Sequence, residues 1–160
     1  MRLLIAAVGK LKQGPERELF AHYLGRAEAA GRKLHLSPIA VVEVPESKAA
    51  TARARKEAEA QALLVKVPSS HRLIALDREG EALSSEAFAA LLAKLRDAGA
   101  EGVAFLVGGA DGLSPEVPAK AAKAISFGAL TLPHGLVRVI LAEQIYRAAT
   151  ILAGHPYHRG

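Results

Sequence analysis

The most constraining feature of this sequence is a sustained alternation between short apolar segments and longer helical ones. The segment RLLIAAV at 2–8 has the length and apolar character of a buried strand, and a helix follows from about Pro15, a residue suited to a first helical turn. Repeated strand–helix units of this length predict an α/β fold with a mainly parallel sheet flanked by helices. We find no internal repeat or linker, so residues 1–160 are predicted to form one domain.

The later elements follow from the same pattern. Pro38 indicates that the segment 34–44 is an edge strand or carries a bulge. Ser47 is predicted to cap a long helix that ends near Val65, and Ser84 or Ser85 opens the next helix. The remaining predicted elements are strands at 72–77 and 103–107, a short helix after a glycine loop, a strand with a loop at 125–132, and a last helix at 134–154.

The last helix is apolar on nearly every side, so it has to be covered on more than one face. A second subunit is one possible cover and a fully internal position is the other; we expect a homodimer. Glu143 and Arg147 are four residues apart and suit an ion pair, whereas Arg138 has no such partner on this helix and needs one elsewhere, or a task.

Composition narrows the classes of function. The chain has no cysteine, which excludes disulfides, thiolate metal sites and cysteine nucleophiles. A net charge of +5 favours a polyanionic partner, with basic clusters at 10–17 and 53–56. Aromatic residues make up only 4%, which argues against a base-stacking sheet. Neither a spanning segment nor a secretory cleavage site is evident, so we expect a cytoplasmic protein without membrane partners.

The stretch LVGGADGLSP places Gly108, Gly109 and Gly112 directly after a buried strand, where open α/β sheets bind ligands. It matches neither a dinucleotide fingerprint nor a phosphate loop, and a simple tight turn at Asp111-Gly112 explains the spacing equally well. If the loop at 126–135, which contains His134, is its neighbour, the two loops form one cleft. A single histidine there is more often structural than catalytic.

The closing HPYHRG is rich in reactive side chains. His155 and His158 have a metal-pair spacing without a third ligand nearby, so no metal is expected. Arg159 for phosphate, Tyr157 for stacking and a histidine for proton handling would suit a nucleic acid. The alternative is a disordered basic tail.

Three of these stretches together, LVGGADGLSP, ALTLPHGLVRVILAEQIYRA and the closing HPYHR, strongly resemble the RlmH family of SPOUT-class methyltransferases, which modify pseudouridine in 23S ribosomal RNA. The resemblance covers the whole chain. It implies a SPOUT-like fold with a C-terminal trefoil knot, a homodimer, and S-adenosylmethionine as methyl donor. It also implies 23S ribosomal RNA or the ribosome as partner, rather than DNA.

Carried over to this sequence, the resemblance implies two groups of site residues. The donor site would comprise Leu76, Gly108, Phe127, Gly128, Ala129, Leu130, Thr131 and Leu132. The catalytic group would comprise His155, Tyr157, His158 and Arg159 at the terminus. From the chemistry of their side chains rather than from the resemblance, we assign substrate binding to His134, Arg138 and Glu143.

The implied reaction transfers a methyl group to N3 of a pseudouridine, which must lose a proton first. His158, His155, His134 or Glu143 are candidate bases, and Arg138 or Arg159 would favour the deprotonated ring. We expect the tail to reach over the donor cleft, and a donor bound on one subunit while basic residues of the other grip RNA. Two alternatives remain open: a non-catalytic RNA- or ribosome-binding module, and a small-molecule enzyme using the same cleft.

Overall fold

The computed structural model describes residues 1–158 and contains one five-stranded sheet with every strand pairing parallel. The strands are β1 (Arg2–Val8), β2 (Ile39–Val44), β3 (His71–Ala82), β4 (Gly102–Val107) and β5 (Lys123–Ser126). The helices are α1 (Pro15–Gly31), α2 (Ala52–Lys66), α3 (Ser85–Asp97), α4 (Glu116–Lys120) and α5 (His134–Leu152), with short 3-10 turns at Arg32–Leu34 and Pro156–His158. The predicted parallel α/β fold is therefore confirmed.

The sheet has the strand order β2-β1-β4-β3-β5, and its core lies on both faces. Helices α1, α3 and α5 cover one face, where Phe105 of β4 packs among their apolar side chains. Helices α2 and α4 cover the other face, around Leu106 and Leu63. Strand β4 is buried along its whole length, which explains its uninterrupted apolar sequence. The carboxyl ends of the central strands consequently open at one edge of the sheet, where ligands bind in folds of this kind.

Two predicted boundaries in the first half are wrong. The second strand begins at Ile39 rather than at residue 34, because Arg32–Leu34 form a 3-10 turn and Pro38 precedes the strand. It lies at the edge of the sheet, as Pro38 indicated. The second helix begins at Ala52 with Thr51 as its cap, whose Oγ1 accepts from the Ala54 N–H at 3.1 Å. Ser47 caps no helix; its own N–H donates to Glu59.

Strand β3 is longer than predicted and contains one irregularity. It continues to Ala82 instead of stopping near residue 77, and it pairs with β5 both before and after an irregularity between Leu76 and Glu81. Gly80 lies so close to β5 that a Cβ there would approach the Ile125 backbone nitrogen to 2.7 Å. The chain at 77–80 therefore bulges out of β3 at the cleft edge. Strand β5 occupies residues 123–126, earlier than predicted, and leaves 127–133 as a loop.

Helix α5 packs between α1 and α3, which cover most of its circumference. A stripe along the helix stays half-buried or exposed, from Leu136, which is 38% exposed, through Ile140 to Arg147. Packing inside the subunit thus buries most of the apolar surface of α5, and the half-buried stripe is the part of the helix that a partner could cover. The C-terminal trefoil knot that the resemblance implies stays a prediction. No helix within residues 1–158 is long and apolar enough to cross a membrane.

Candidate active site

A cleft of about 810 Å³ lies at the carboxyl ends of β3, β4 and β5. The bulge inside β3 and the glycine loop after β4 form part of its wall, and the loop from β5 to α5 forms most of the rest. Its lining residues are Lys56, Leu76 to Glu79, Val107 to Leu113, Ile125 to Gly128, Leu130 to His134, and Val137. The structure therefore brings the glycine loop and the loop at 126–135 together into one cleft, as the sequence predicted.

Most of the predicted donor residues line this cleft. They are Leu76, Gly108, Phe127, Gly128, Leu130, Thr131 and Leu132, with Ala129 in the same loop but outside the lining. His134, at the first position of α5, also lines it. Leu130 of the same loop is 80% exposed. Such a side chain is available to close over an apolar ligand.

The glycine loop is also a tight turn, so the two interpretations of its spacing describe the same structure. The Gly112 N–H donates to the Gly109 carbonyl oxygen at 3.0 Å, and Gly112 has a φ of +83°, which favours glycine. At Gly108 a Cβ would approach the Gly112 carbonyl carbon to 2.7 Å. The turn therefore tolerates no side chain at Gly108, and its backbone is presented bare to the cleft.

Charged side chains surround the mouth of the cleft. Asp111 at the tip of the turn accepts two hydrogen bonds from Arg55, and these hold the pKa of the Asp111 carboxyl below its usual value. On the opposite side, Arg78 Nη1 lies 3.5 Å from Thr131 Oγ1. Lys56 adds a positive charge to the lining. The cleft thus combines an apolar interior, bare backbone and a polar rim, the usual make-up of a site for a small organic ligand.

Arg138 lies in the interior rather than at a substrate-facing surface. Its side chain is 0% exposed and donates to Glu43 Oε2 at 2.6 Å and to the carbonyl oxygens of Val8 and Gly9 at 2.8 Å and 2.6 Å. Burial opposes ionisation of Glu43, but the Leu11 N–H and Arg138 outweigh it and hold the pKa of that carboxyl below its usual value. The substrate role predicted for Arg138 is therefore corrected: it ties α5 to the end of β1 and to β2.

The terminal residues are docked on the second half of α5, so the alternative of a disordered tail is wrong for residues 155–158. The Tyr157 ring packs on Tyr146 with their centroids 4.5 Å apart, and the Arg147 guanidinium lies 5.0 Å from its centre. The Tyr157 hydroxyl donates to Glu143 Oε1 at 3.2 Å. Burial, followed by hydrogen bonding to Tyr23, raises the pKa of Tyr157 to about 12. This phenol therefore stays protonated throughout the physiological range.

The other terminal candidates surround this anchor. His155 Nδ1 accepts from the Tyr157 N–H at 3.2 Å, and His158 is half-buried near Glu86 of α3. Glu143 accepts from Arg147 at 2.7 Å as the sequence predicted, and also from the Gln144 amide at 2.7 Å. Arg159 lies outside the described residues. Within residues 1–158, no three carboxylate or imidazole side chains come together as a metal site requires.

The cleft and the tail lie at different parts of α5. His134 lines the cleft, whereas Glu143, which holds Tyr157, lies roughly 14 Å further along the helix axis. Residues 155–158 of the tail therefore do not reach over the cleft of their own chain, and the rest of this expectation falls on residues 159 and 160, outside the described residues. A smaller cavity of about 340 Å³, which shares Phe127 and Gly128 with the cleft, extends from it towards Gln144.

Sequence reasoning missed several residues of this region. Lys56 and the segment 77–79 line the cleft, but strand periodicity carries no signal for a bulge inside a strand. Arg55 and Glu43 act through partners 56 and 95 residues away, Asp111 and Arg138. The one available signal was the charge at Arg138 inside an apolar helix, which required a partner of opposite charge somewhere in the chain.

Comparison with known proteins places the chain in a family. The family model described as "Predicted SPOUT methyltransferase" matches residues 1–158. A protein of Rhodopseudomonas palustris named Ribosomal RNA large subunit methyltransferase H is 56% identical over 159 residues, covering 99% of both chains. A protein of the same name from Nitrobacter hamburgensis is 54% identical over 160 residues, covering 100% of both chains.

Among solved structures, the crystal structure of a probable methyltransferase from Bordetella pertussis Tohama I aligns with a TM-score of 0.51. The alignment covers 92% of this chain and 96% of that one, at 16% identity, and so supports the fold alone. The family match extends over every described residue, and the two named relatives align along nearly their whole length. The chain belongs to the SPOUT methyltransferase family.

Proposed function

We propose that this protein is a methyltransferase that transfers a methyl group from S-adenosylmethionine to 23S ribosomal RNA, at N3 of a pseudouridine, in the assembled ribosome. The observation that carries the proposal is the full-length identity above 50% to relatives named as large-subunit ribosomal RNA methyltransferases. The cleft supports it, because its residues are those that the resemblance assigns to the donor.

The donor fits the chemistry of the cleft. An adenine ring and a methionine chain need apolar walls with backbone hydrogen bonds at a few points, and Leu76, Phe127 and Leu132 supply such walls. The bare backbone of the turn at Gly108 to Gly112 supplies N–H and carbonyl groups at close approach. S-adenosylmethionine brings the electrophilic methyl group; this chain's residues bind and orient it.

We expect Gly108→Val to abolish donor binding. The added side chain would meet the Gly112 backbone and displace the turn that forms one wall of the cleft. Isothermal titration calorimetry with S-adenosylmethionine should give binding for the natural sequence and a loss of at least about 100-fold for the variant. Gly25→Val, on the exposed side of α1, where a Cβ meets nothing within 4 Å, is the matched control. Binding by the Gly108 variant at the natural affinity would contradict this placement of the donor.

The acceptor nitrogen must be deprotonated and held in line with the methyl group, and positioning supplies much of the acceleration. We propose that Tyr157, His158 and Arg159 position the nucleotide. Glu143 acts by holding the Tyr157 hydroxyl and the Arg147 guanidinium. His158, His155 and His134 stay candidates for the base. Full methyl-transfer rate in a His158→Gln variant would remove His158 from this list.

We further propose that the site is completed in a homodimer, by the donor cleft of one subunit and the tail of the other. Two observations support it. The tail is anchored away from the cleft of its own chain. Leu136 and Ile140 on the half-covered stripe of α5, and the 44% exposed Leu19 on α1, offer apolar surface for a second copy.

RNA binding is expected to depend steeply on salt, because phosphate contacts release counterions. The loop before α1 presents exposed Lys10 and Lys12 of the basic cluster at 10–17. Arg53 and Arg55 in the other basic cluster are paired with Glu57 and Asp111. We therefore place the phosphate contacts mainly on the loop. Replacing both lysines by glutamine should make the fall of log affinity for 23S ribosomal RNA with log salt concentration less steep, by about 1.5 in the magnitude of the slope.

Filter-binding titrations between low and moderate salt measure this slope. Lys94→Gln, an exposed change on α3 near the opposite edge of the sheet, is the control and should leave it unchanged. An affinity that is flat with salt for the natural protein would contradict phosphate binding altogether.

The competing functions predict different outcomes with the donor. A non-catalytic RNA-binding module would bind RNA but not S-adenosylmethionine. A small-molecule enzyme would bind the donor and methylate a metabolite instead of ribosomal RNA. Calorimetry and a labelled-methyl assay with ribosomes, subunits and free RNA separate these outcomes.

A further inference from the structure

We propose that Arg55 and Glu59, one turn apart on α2, are positioning residues that fix the glycine turn of the donor cleft. Neither residue lines the cleft. Both approach the turn from the side away from the cleft. Both also form hydrogen bonds with the segment at 47–50 that leads into α2. The inference rests on the proposed donor site and identifies what keeps that site in shape.

The turn has few means of holding itself. Three of its five residues are glycines and one is alanine, so Asp111 carries its only polar side chain. Glycine-rich backbone loses more conformational freedom than any other when it is ordered. A turn that presents bare backbone to a ligand therefore needs an external contact if it is to be ordered before the ligand binds.

Arg55 supplies that contact at the tip of the turn. Its Nε and Nη2 donate to the two carboxylate oxygens of Asp111 at 2.7 Å and 3.2 Å, the paired geometry in which arginine and carboxylate bind best. Its Nη1 donates to the carbonyl oxygens of Ala49 and Ala50 at 3.1 Å and 3.4 Å. One guanidinium thus joins the turn to the segment preceding α2.

Glu59 supports the base of the turn. Its side chain is 5% exposed, and its Oε1 accepts from the Ser47 N–H at 2.9 Å. Its Oε2 has no hydrogen-bond partner among the described residues and faces Gly109, where a Cβ would lie 3.3 Å from it. This buried carboxylate thus lies behind Gly109 at the base of the turn, while Arg55 holds the tip of the turn through Asp111.

Reversing one charge of the Arg55–Asp111 pair should therefore weaken donor binding without unfolding the protein. Both side chains are partly exposed, at 31% and 26%, so either reversal introduces its new charge at a partly exposed position. We expect Arg55→Glu and Asp111→Arg each to weaken S-adenosylmethionine binding about tenfold in calorimetry. The double variant, with the charges exchanged, should recover most of that loss. Lys66→Glu, an exposed change of the same size at the end of α2, should bind the donor as the natural chain does.

Amide hydrogen exchange of residues 108–113 without donor provides a second, independent measurement. Both single variants should exchange faster in this segment, and the exchanged pair should return it towards natural protection. Natural affinity and natural exchange in the single variants would overturn the inference, as would a double variant no better than either single one. If the natural chain fails to bind S-adenosylmethionine while exchange changes as expected, the proposed donor is wrong and the positioning role stands.

Discussion

Replacing Arg138 by methionine is expected to destabilise the protein by about 3–5 kcal/mol, the largest effect on stability of any single change considered. The substitution leaves two buried carbonyl oxygens, those of Val8 and Gly9, without their donor, and leaves the Glu43 carboxylate without its guanidinium. A domain of this size has a total stability of about 5–15 kcal/mol. The loss is therefore a large share of the total.

Urea unfolding followed by far-ultraviolet circular dichroism measures this loss. Adding Glu43→Gln to Arg138→Met should recover part of it, since the unpaired charge is removed together with its partner. Arg32→Met, at a 72% exposed arginine paired with Glu28, is the control and should cost less than about 1 kcal/mol. A loss below about 1 kcal/mol for Arg138→Met would mean that this buried ion pair does not hold α5 to the sheet.

The second large effect concerns methyl transfer in mixed dimers. Deleting residues 155–160 should leave the fold and donor binding intact but lower methyl transfer at least about 100-fold, because the positioning residues are lost. Gly108→Val should lower it as far by removing the donor. If the cleft of one subunit works with the tail of the other, mixed dimers of the two variants contain one complete site.

Random mixing of the two inactive variants in equal amounts should therefore restore about a quarter of the natural activity: half of the dimers are mixed, and each has one of two sites intact. Tandem-affinity purification through two different tags isolates the mixed dimer for a direct measurement. No recovery in the purified mixed dimer would show that tail and cleft act within one chain. Unfolding of the deletion variant would instead show that Tyr157 and its neighbours are structural.

Local sequence signals predicted the sheet and its cleft well. The apolar run at 103–107 and the glycines after it predicted a buried strand followed by a glycine loop, and the structure has both. The helix caps were harder, because Ser47 and Thr51 are both good caps. In the structure Thr51 Oγ1 accepts from the Ala54 N–H of α2, whereas Ser47 Oγ accepts from the Ala49 N–H before the helix. Local propensity cannot decide between them.

The errors in the site have a common physical cause. Arg138 was assigned to a substrate because its helix is apolar and no partner lay within one turn, yet Glu43 comes from a strand 95 residues earlier in the chain. The pairing of Arg55 with Asp111 was missed for the same reason, since the two residues are 56 positions apart. Long-range ion pairs depend on how the elements pack, and one sequence carries no local pattern for them. The docking of Tyr157 on Tyr146 and Glu143 is a further case.

Transfer of a labelled methyl group from S-adenosylmethionine tests the proposed activity most directly. Purified protein would be incubated with ribosomes, large subunits and free 23S ribosomal RNA from cells that lack it, and the product nucleoside identified by mass spectrometry. We expect one methyl group on N3 of a single pseudouridine, with the assembled ribosome as the best substrate. Donor binding without methyl transfer to any form of large-subunit RNA would contradict the proposed function.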